Sequence, residues 1–231
     1  MRSVFITGGN KGLGYETAKR LIDMGYQVYI GCRNEEKGRI AAAELGAELV
    51  LIDVTEDTSV KAAARAVMEK EGGLDILINN AGIAGVFAKP EDITGSDMEK
   101  VYNTNVFGVV RVTNAFIPLL RRSENPVIVN VSSGLGSFGM VTNAAAEESR
   151  VNSLTYCSAK AAVSMLTLQY AKGLPEMRVN CADPGATATD LNGGRGKQTV
   201  QEGTDAIVKL AVIGKNEPTG VFMNRNGIIP W

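Results

Sequence analysis

Short apolar runs of four to seven residues alternate with longer stretches of helical periodicity along almost the whole chain. The runs are rich in Val, Ile, Leu and Phe without polar alternation, which is typical of strands covered on both faces in a parallel sheet. We predict seven strands, over Ser3–Thr7, Gln27–Gly31, Glu48–Ile52, Leu74–Asn79, Pro126–Val131, Arg178–Ala182 and Gly220–Met223. We predict six helices, over Gly12–Met24, Glu35–Leu45, Ser59–Glu71, Asp97–Arg122, Ser153–Gly173 and Gln201–Ile213.

Alternating strands and helices indicate right-handed βαβ units. The predicted fold class is therefore α/β, a Rossmann-type doubly wound parallel sheet of about seven strands with helices on both faces. No composition break divides the chain, so we expect a single domain over 1–231. Two segments, about 134–152 and 186–199, interrupt the alternation directly after strand ends, where open α/β sheets bind ligands. We expect both to be substrate loops, and the glycine-rich second one to be mobile until the cofactor orders it.

Composition narrows the class of protein. Lys plus Arg number 24 and Asp plus Glu number 25, which gives no charge excess that favours nucleic acid or a membrane surface. No apolar run reaches the roughly 18 residues of a membrane span, and no secretory leader is evident. Three scattered cysteines predict reduced thiols in a cytoplasmic protein rather than a disulfide framework or a zinc site. Without histidine, a Ser-His-Asp hydrolase and an imidazole metal site are excluded, and we predict no metal.

A glycine-rich segment, "TGGNKGLG", follows the first predicted strand and opens the first predicted helix. Glycines let backbone amides approach a ligand closely, and a helix N-terminus attracts anions, so this loop predicts a phosphate site. The missing Gly-Lys-Ser/Thr ending excludes a nucleoside-triphosphate loop. A tight turn without a ligand is the alternative. The candidate pyrophosphate contacts are Gly8, Asn10, Lys11, Gly12, Leu13 and Gly14.

Two cations lie where a dinucleotide's adenosine ribose is expected. The second strand ends in "CRNEE", so Arg33 takes the position where a carboxylate would accept a free 2′-hydroxyl. Arg33 and Lys11 together favour a 2′-phosphate, and therefore NADP(H) over NAD(H). The alternative is that both are ordinary surface cations. Asp53, which precedes Val54 after the third strand, is expected to accept from the adenine amino group or to cap the next helix.

The third cluster carries candidate catalytic groups. "VIVNVSS" ends a strand at Ser132 and Ser133, and "YCSAK" places Tyr156 and Lys160 four residues apart on a predicted helix. Residues at i and i+4 share one helix face, so the phenol and the ammonium are expected in one pocket. A neighbouring cation stabilises phenolate, so we expect Lys160 to lower the pKa of Tyr156 from its usual value of about 10.

Taken together and in this order, these motifs resemble the short-chain dehydrogenase/reductase family over essentially the whole chain. The glycine loop and the ending "TGVFMNRNGIIPW" look most like its carbonyl-reductase branch. The matching motifs are "TGGNKGLG", Asp53, "NNAG" at Asn79–Gly82, "NVFG" from Asn105, "VNVSS", "YCSAK" and "DPGATATD" from Asp183.

The resemblance implies a role for each candidate residue. Tyr156 would donate the proton, Lys160 would bind the nicotinamide ribose, and Ser133 would hydrogen-bond the substrate carbonyl. Asn105 would anchor a water in the proton path, a helix kink being the alternative. The cofactor would further contact Asn80, Ala81, Gly82, Pro184, Gly185, Thr187 and Thr189, besides Tyr156 and Lys160.

The implied function is NADPH-dependent reduction of an aldehyde or ketone to an alcohol, with a small carbonyl or alcohol molecule as partner. An NAD-dependent alcohol dehydrogenase and a non-catalytic NADP(H)-sensing protein are the alternatives. Ser133 and Tyr156 are 23 positions apart, about ten more than in compact members of the family. In carbonyl-reductase relatives a longer insertion here covers an oligomer surface, so the resemblance leaves the assembly open, with a homodimer or homotetramer as candidates. Apolar Phe138, Met140 and Val141 in this segment indicate a hydrophobic substrate.

Overall fold

All eight strands of the protein belong to one sheet. A computed structural model describes the whole chain, from Met1 to Trp231. The strands are β1 (Ser3–Thr7), β2 (Gln27–Cys32), β3 (Glu48–Leu51), β4 (Ile76–Asn79), β5 (Val127–Val131), β6 (Arg178–Ala182), β7 (Phe222–Asn224) and β8 (Gly227–Ile228). Their spatial order is β3-β2-β1-β4-β5-β6-β7-β8. The first seven run parallel and β8 pairs antiparallel with β7, so the predicted doubly wound sheet is confirmed, with one short strand beyond those predicted.

Helices connect the parallel strands. They are α1 (Gly12–Asp23), α2 (Glu35–Leu45), α3 (Asp57–Glu71), α4 (Gly95–Tyr102), α5 (Gly108–Leu120), α6 (Phe138–Val141), α7 (Leu154–Gly173), α8 (Val200–Gly203) and α9 (Asp205–Ala211). None of them combines the length and the apolar character that crossing a bilayer requires. The prediction of one helix over Gln201–Ile213 is wrong, since α8 and α9 meet at a break at Thr204.

The predicted helix Asp97–Arg122 is also interrupted. A π-helical turn, Asn103–Phe107, joins α4 to α5. It sets the buried side chain of Asn105 opposite the backbone of Ile83, which donates to Oδ1 at 2.8 Å and accepts from Nδ2 at 2.9 Å. The turn was not predicted, because the apolar residues on both sides of it predict one continuous helix. Single π turns inside α-helices often mark functional positions.

The core lies on both faces of the sheet. Val4 and Ile6 of β1 pack in one cluster with the buried face of α1, and Phe5 packs in a second cluster with α3 and α5. The Phe5 and Phe116 rings stack with centroids 4.5 Å apart. Because alternate side chains of each strand point to opposite faces, burial on both faces requires apolar residues at every position. This explains the uninterrupted apolar runs of the sequence.

The strand order reverses between β1 and β4. β1 continues to β2 and β3 on one side, whereas β4 leads to β5 and β6 on the other. The connections after the two central strands therefore diverge and leave a crevice at their carboxyl ends, the usual ligand site of such sheets. The glycine loop follows β1 and the segment Asn80–Gly82 follows β4, so both predicted cofactor segments lie at this crevice.

Candidate active site

The glycine loop forms a close-packed turn whose shape depends on its missing side chains. Gly8 and Gly12 adopt positive φ angles of 67° and 55°, a region that favours glycine. A Cβ atom on Gly14 would collide with the carbonyl oxygen of Gly8. The Gly8 and Gly9 amides bond to the Gly31 carbonyl at 2.7 and 3.1 Å, which ties the loop to β2. Helix α1 starts directly afterwards and no side chain caps it, so its N-terminal amides remain available for an anion.

The segment after β4 is fixed against this loop by Thr7, a residue to which sequence reasoning gave no role. Its hydroxyl accepts from the backbone amides of Asn80 and Ala81, at 2.9 and 3.0 Å. The Asn80 side chain donates in turn to the Thr7 and Gly8 carbonyls. Asn79 instead bonds inside the protein to Asn130 at 2.8 Å, as expected for a residue that ties neighbouring strands together.

The two predicted phosphate cations differ in their surroundings. Arg33 is exposed and forms no ion pair. Lys11 forms an exposed ion pair with Asp190, at 2.8 Å between Nζ and Oδ2. A 2′-phosphate that binds Lys11 must therefore compete with this carboxylate. Arg33 is the cation that is free to bind without such a competitor.

Asp53 and Val54 lie at the end of β3. Asp53 Oδ1 accepts from the Thr55 amide at 2.9 Å and the Thr55 hydroxyl at 2.7 Å. Although partial burial raises the pKa of Asp53, these bonds and nearby Arg33 lower it overall. Asp53 therefore caps a turn before α3 rather than the helix itself, whose N-cap is Glu56. Val54 is buried against Gly108, at the start of α5.

The predicted catalytic side chains do meet at the carboxyl edge of the sheet. The Lys160 ammonium lies 5.6 Å from the centroid of the Tyr156 ring and donates to the Val131 carbonyl at 2.7 Å. The hydroxyl of Ser133 lies close enough to the Tyr156 phenol to favour phenolate. Ser132 instead is buried and donates to the Lys160 carbonyl at 3.0 Å. Of the two serines, Ser133 is therefore the one that faces the tyrosine.

Titration of this pair differs from the sequence prediction. Burial raises the pKa of Tyr156, nearby Asp183 raises it further, and only Ser133 lowers it. The expectation that Lys160 lowers the pKa of Tyr156 is therefore wrong. Burial and the Asp183 carboxylate raise this pKa more than Ser133 lowers it. Burial also lowers the pKa of Lys160 to about 8, although Cys181 and Asp183 act against this. Burial raises the pKa of the adjacent Cys157 thiol, which is typical of a packed thiol rather than a reactive one.

Asn105 and Gly82 complete the surroundings of Lys160. A Cβ atom on Gly82 would lie 3.4 Å from Asn105 Oδ1 and 3.8 Å from Lys160 Nζ. On the other side, a Cβ atom on Gly136 would lie 2.5 Å from the Lys160 carbonyl carbon. Segments that follow β4 and β5 thus border Lys160 on two sides, and at Gly136 the approach to the lysine backbone leaves no room for a side chain.

The segment 186–199 folds back across the same edge. Ala188 donates to the Gln198 carbonyl at 3.0 Å, and the amides of Lys197 and Gln198 donate to Ala186. Thr187 is buried and its hydroxyl donates to the Pro184 carbonyl at 2.8 Å. Thr189 approaches Gly12 of the glycine loop. Of the predicted contacts from Pro184 to Thr189, Thr189 therefore lies beside the glycine loop, and Gly185, with a φ of 66°, forms the turn that leads to it.

A doubly wound sheet with a glycine loop at its switch point and a Ser–Tyr–Lys group beside it defines a Rossmann-type nucleotide-binding oxidoreductase. The family model of the short chain dehydrogenases matches residues 2–200. The chain belongs to that family, as its motifs indicated.

Known proteins resemble the chain over most of its length. It is 38% identical over 224 residues to a short-chain dehydrogenase of Penicillium roqueforti, covering 91% of this chain and 88% of that one. It is 31% identical to salutaridine reductase of Papaver bracteatum, with 96% and 94% covered. That alignment runs over 291 positions although this chain has 231 residues, so the relative carries segments that this chain lacks. NADPH-bound carbonyl reductase from chicken fatty liver superposes with a TM-score of 0.87 at 29% identity, covering 100% of this chain and 99% of that one.

Proposed function

We propose that the protein reduces an aldehyde or ketone to an alcohol by hydride transfer from NADPH, with Tyr156 as the general acid. The observation that carries this proposal is the meeting of Tyr156, Lys160 and Ser133 at the sheet edge that the glycine loop borders. The related salutaridine and carbonyl reductases support the reaction class. A cytoplasmic location and one domain over 1–231 are part of the same proposal.

The cradle fits a dinucleotide. Gly8, Gly12 and Gly14 keep side chains out of the turn, and the amides that open α1 would hold the pyrophosphate. Asp53 Oδ2 would accept from adenine, while Arg33 and Lys11 would bind a 2′-phosphate. The other cofactor contacts would be Asn10, Leu13, Val54, Asn80, Ala81, Gly82, Pro184, Gly185, Thr187 and Thr189. When bound, the nicotinamide supplies the hydride that reduces the carbonyl carbon.

The chain's own residues would handle the proton. The raised pKa of Tyr156 keeps the phenol protonated, which is the form that a general acid needs. Ser133 would donate a hydrogen bond to the carbonyl oxygen as negative charge develops there. Lys160 would hold the nicotinamide ribose and pass a replacement proton towards Tyr156. Asn105, beside Lys160, would anchor a water in that path.

Substitution of Arg33 tests the cofactor preference. A charge-assisted hydrogen bond contributes about 1.5–3 kcal/mol, so Arg33→Ala should weaken NADPH binding about ten- to a hundredfold. NADH affinity should change less than about twofold, since NADH has no 2′-phosphate. Dissociation constants from nucleotide fluorescence measure both. Arg39→Ala is the matched control, because Arg39 is exposed on α2 and paired with Glu35. If the ratio of the NADPH and NADH dissociation constants is unchanged in Arg33→Ala, Arg33 does not set a preference for NADPH.

The segment 186–199 should become more rigid when NADPH binds. Gly193 and Gly194 adopt positive φ angles of 63° and 77°, and their surroundings leave open space for a Cβ atom. Such a segment loses much conformational entropy on ordering and needs ligand contacts to offset it. Amide hydrogen exchange should therefore slow there when NADPH is added, while α3 stays unchanged. Equal exchange rates with and without NADPH would show that the cofactor does not order this segment.

The reaction itself is tested with a panel of carbonyl compounds. Loss of NADPH absorbance with aldehydes or ketones, together with formation of the matching alcohol, is expected. Phe138 is 71% exposed at the start of α6, so apolar aromatic carbonyls are the first to try. NADPH binding without turnover of any compound would favour the non-catalytic alternative. Turnover with NADH at the same efficiency would favour the NAD-dependent one.

A further inference from the structure

A buried carboxylate lies beside the proposed catalytic pair and has no role in the scheme above. Asp183 directly follows β6 and is 3% exposed. Its Oδ1 accepts from the Gly185 amide at 2.9 Å, and its own amide donates to the Met223 carbonyl at 2.8 Å. The first bond holds the carboxylate, and the second fixes the main chain of Asp183 to β7.

Sheet register places Asp183 next to the lysine. Ala182, its neighbour in β6, pairs with Val131 of β5. The Val131 carbonyl is the acceptor of the Lys160 ammonium at 2.7 Å. Asp183 therefore ends its strand at the same level as Ser132 and Ser133, within the electrostatic range of Lys160 and Tyr156.

A second carboxylate approaches Asp183 from the segment 134–152. A Cβ atom on Gly134 would lie 2.9 Å from Glu148 Oε1 and 3.2 Å from Asp183 Oδ2. Both carboxylates therefore border Gly134, and a side chain at this position would displace at least one of them. The titratable groups that face Asp183 are Glu148, Tyr156 and Lys160, and the thiols of Cys157 and Cys181 flank the tyrosine and the lysine.

We propose that Asp183 is a positioning residue whose buried carboxylate, placed beside the catalytic pair by the register of β6 with β5, biases the site towards reduction. A negative charge at this place favours the ammonium form of Lys160 and the phenol form of Tyr156, which are the forms that proton donation requires. The inference rests on the proposed function. Burial raises the pKa of Asp183, the backbone amides of Gly185 and Gly134 lower it, and the like charge of Glu148 raises it again, so Glu148 modulates the effect. The segment 134–152 thereby contributes to the chemistry as well as to substrate contact.

Asp183→Asn keeps an oxygen acceptor for the Gly185 amide and removes the charge. The pH at which NADPH affinity and kcat/KM for reduction fall should move down by roughly one unit. NADPH binding is measured by fluorescence without substrate, so this arm remains informative if no carbonyl is turned over. If the pH dependences of NADPH affinity and of kcat/KM are both unchanged in Asp183→Asn, the proposal is overturned.

Glu148→Gln distinguishes the effect of the Asp183 carboxylate from that of a general change in net charge. It also tests the proposal if Asp183→Asn does not fold. Loss of the like charge should favour ionisation of Asp183. The pH at which NADPH affinity and kcat/KM fall should therefore stay in place or move up. A downward shift in Glu148→Gln, like that of Asp183→Asn, would mean a general charge effect and would also overturn the proposal. Glu147→Gln, on the same turn but exposed and paired with Lys197, is the control.

Discussion

Replacement of Tyr156 by Phe should lower the rate of carbonyl reduction about 10²–10⁴-fold while NADPH binding stays within about twofold. The substitution removes one hydroxyl and leaves the ring that packs beside Lys160, 5.6 Å from its ammonium. The alkoxide that forms at the substrate would then lack a proton donor. No histidine exists in the chain to replace the phenol. Single-turnover measurements of NADPH oxidation isolate this step from product release.

Tyr170→Phe provides the matched control for this change. Tyr170 lies on the same helix, α7, and its hydroxyl donates to Asn114 at 3.3 Å, away from the sheet edge. Its loss should leave the reduction rate within about twofold. A near wild-type rate in Tyr156→Phe, with hydride transfer limiting, would place the proton donor elsewhere.

Replacement of Lys160 by Met should affect binding and chemistry together. The ammonium would contribute a charge-assisted bond to the nicotinamide ribose, so NADPH affinity should fall about ten- to a hundredfold. The reduction rate should fall as well, because Tyr156 loses its proton relay. Met keeps the volume of the buried lysine stem. The substitution leaves the Val131 carbonyl without its partner, but it also removes the free-energy cost of burying a cation, and the two effects oppose each other. Thermal unfolding should therefore change by only a few degrees.

The pH dependence identifies the lysine directly. The pKa of Lys160 is lowered to about 8 by burial, so the ammonium form is lost as pH rises through that value. kcat/KM for NADPH, which reports the free enzyme, should fall above this pH in the wild type. The limb should be absent in Lys160→Met. A limb that persists unchanged in the variant would belong to another group.

Much of the fold could be predicted because its causes are local or periodic. Strands buried on both faces need continuous apolar runs, and these gave seven of the eight strands within a few residues. β8 is two residues long and has no periodic signal. The π turn at Asn105 was missed for a different reason, since the apolar residues on both sides of it predict one continuous helix and a single inserted residue is a weak signal.

The site residues also fall into those that the sequence predicts and those that only the fold brings together. The glycine loop and the Tyr156–Lys160 pair are close in sequence, and one turn or one helix face brings their members together. Asp183 and Glu148 come from separate segments, and only the folded sheet brings Asp183 beside the tyrosine and Glu148 beside Asp183. Burial and nearby Asp183 raise the tyrosine pKa, and neither follows from the spacing of Tyr156 and Lys160, so the predicted shift had the opposite sign.

The central claim is that the chain transfers hydride from NADPH to a carbonyl carbon with Tyr156 as the acid. It is tested most directly by single turnover with NADPH in which deuterium replaces both hydrogens on the reactive carbon of the nicotinamide ring. Wild-type protein and Tyr156→Phe are each mixed with a carbonyl compound that the panel shows to be reduced, and the alcohol is analysed by mass spectrometry. The wild type should yield alcohol with deuterium at the former carbonyl carbon, and Tyr156→Phe should yield about a hundredfold less of it in the same time. Alcohol without deuterium, or equal labelled alcohol from both proteins, would contradict the claim.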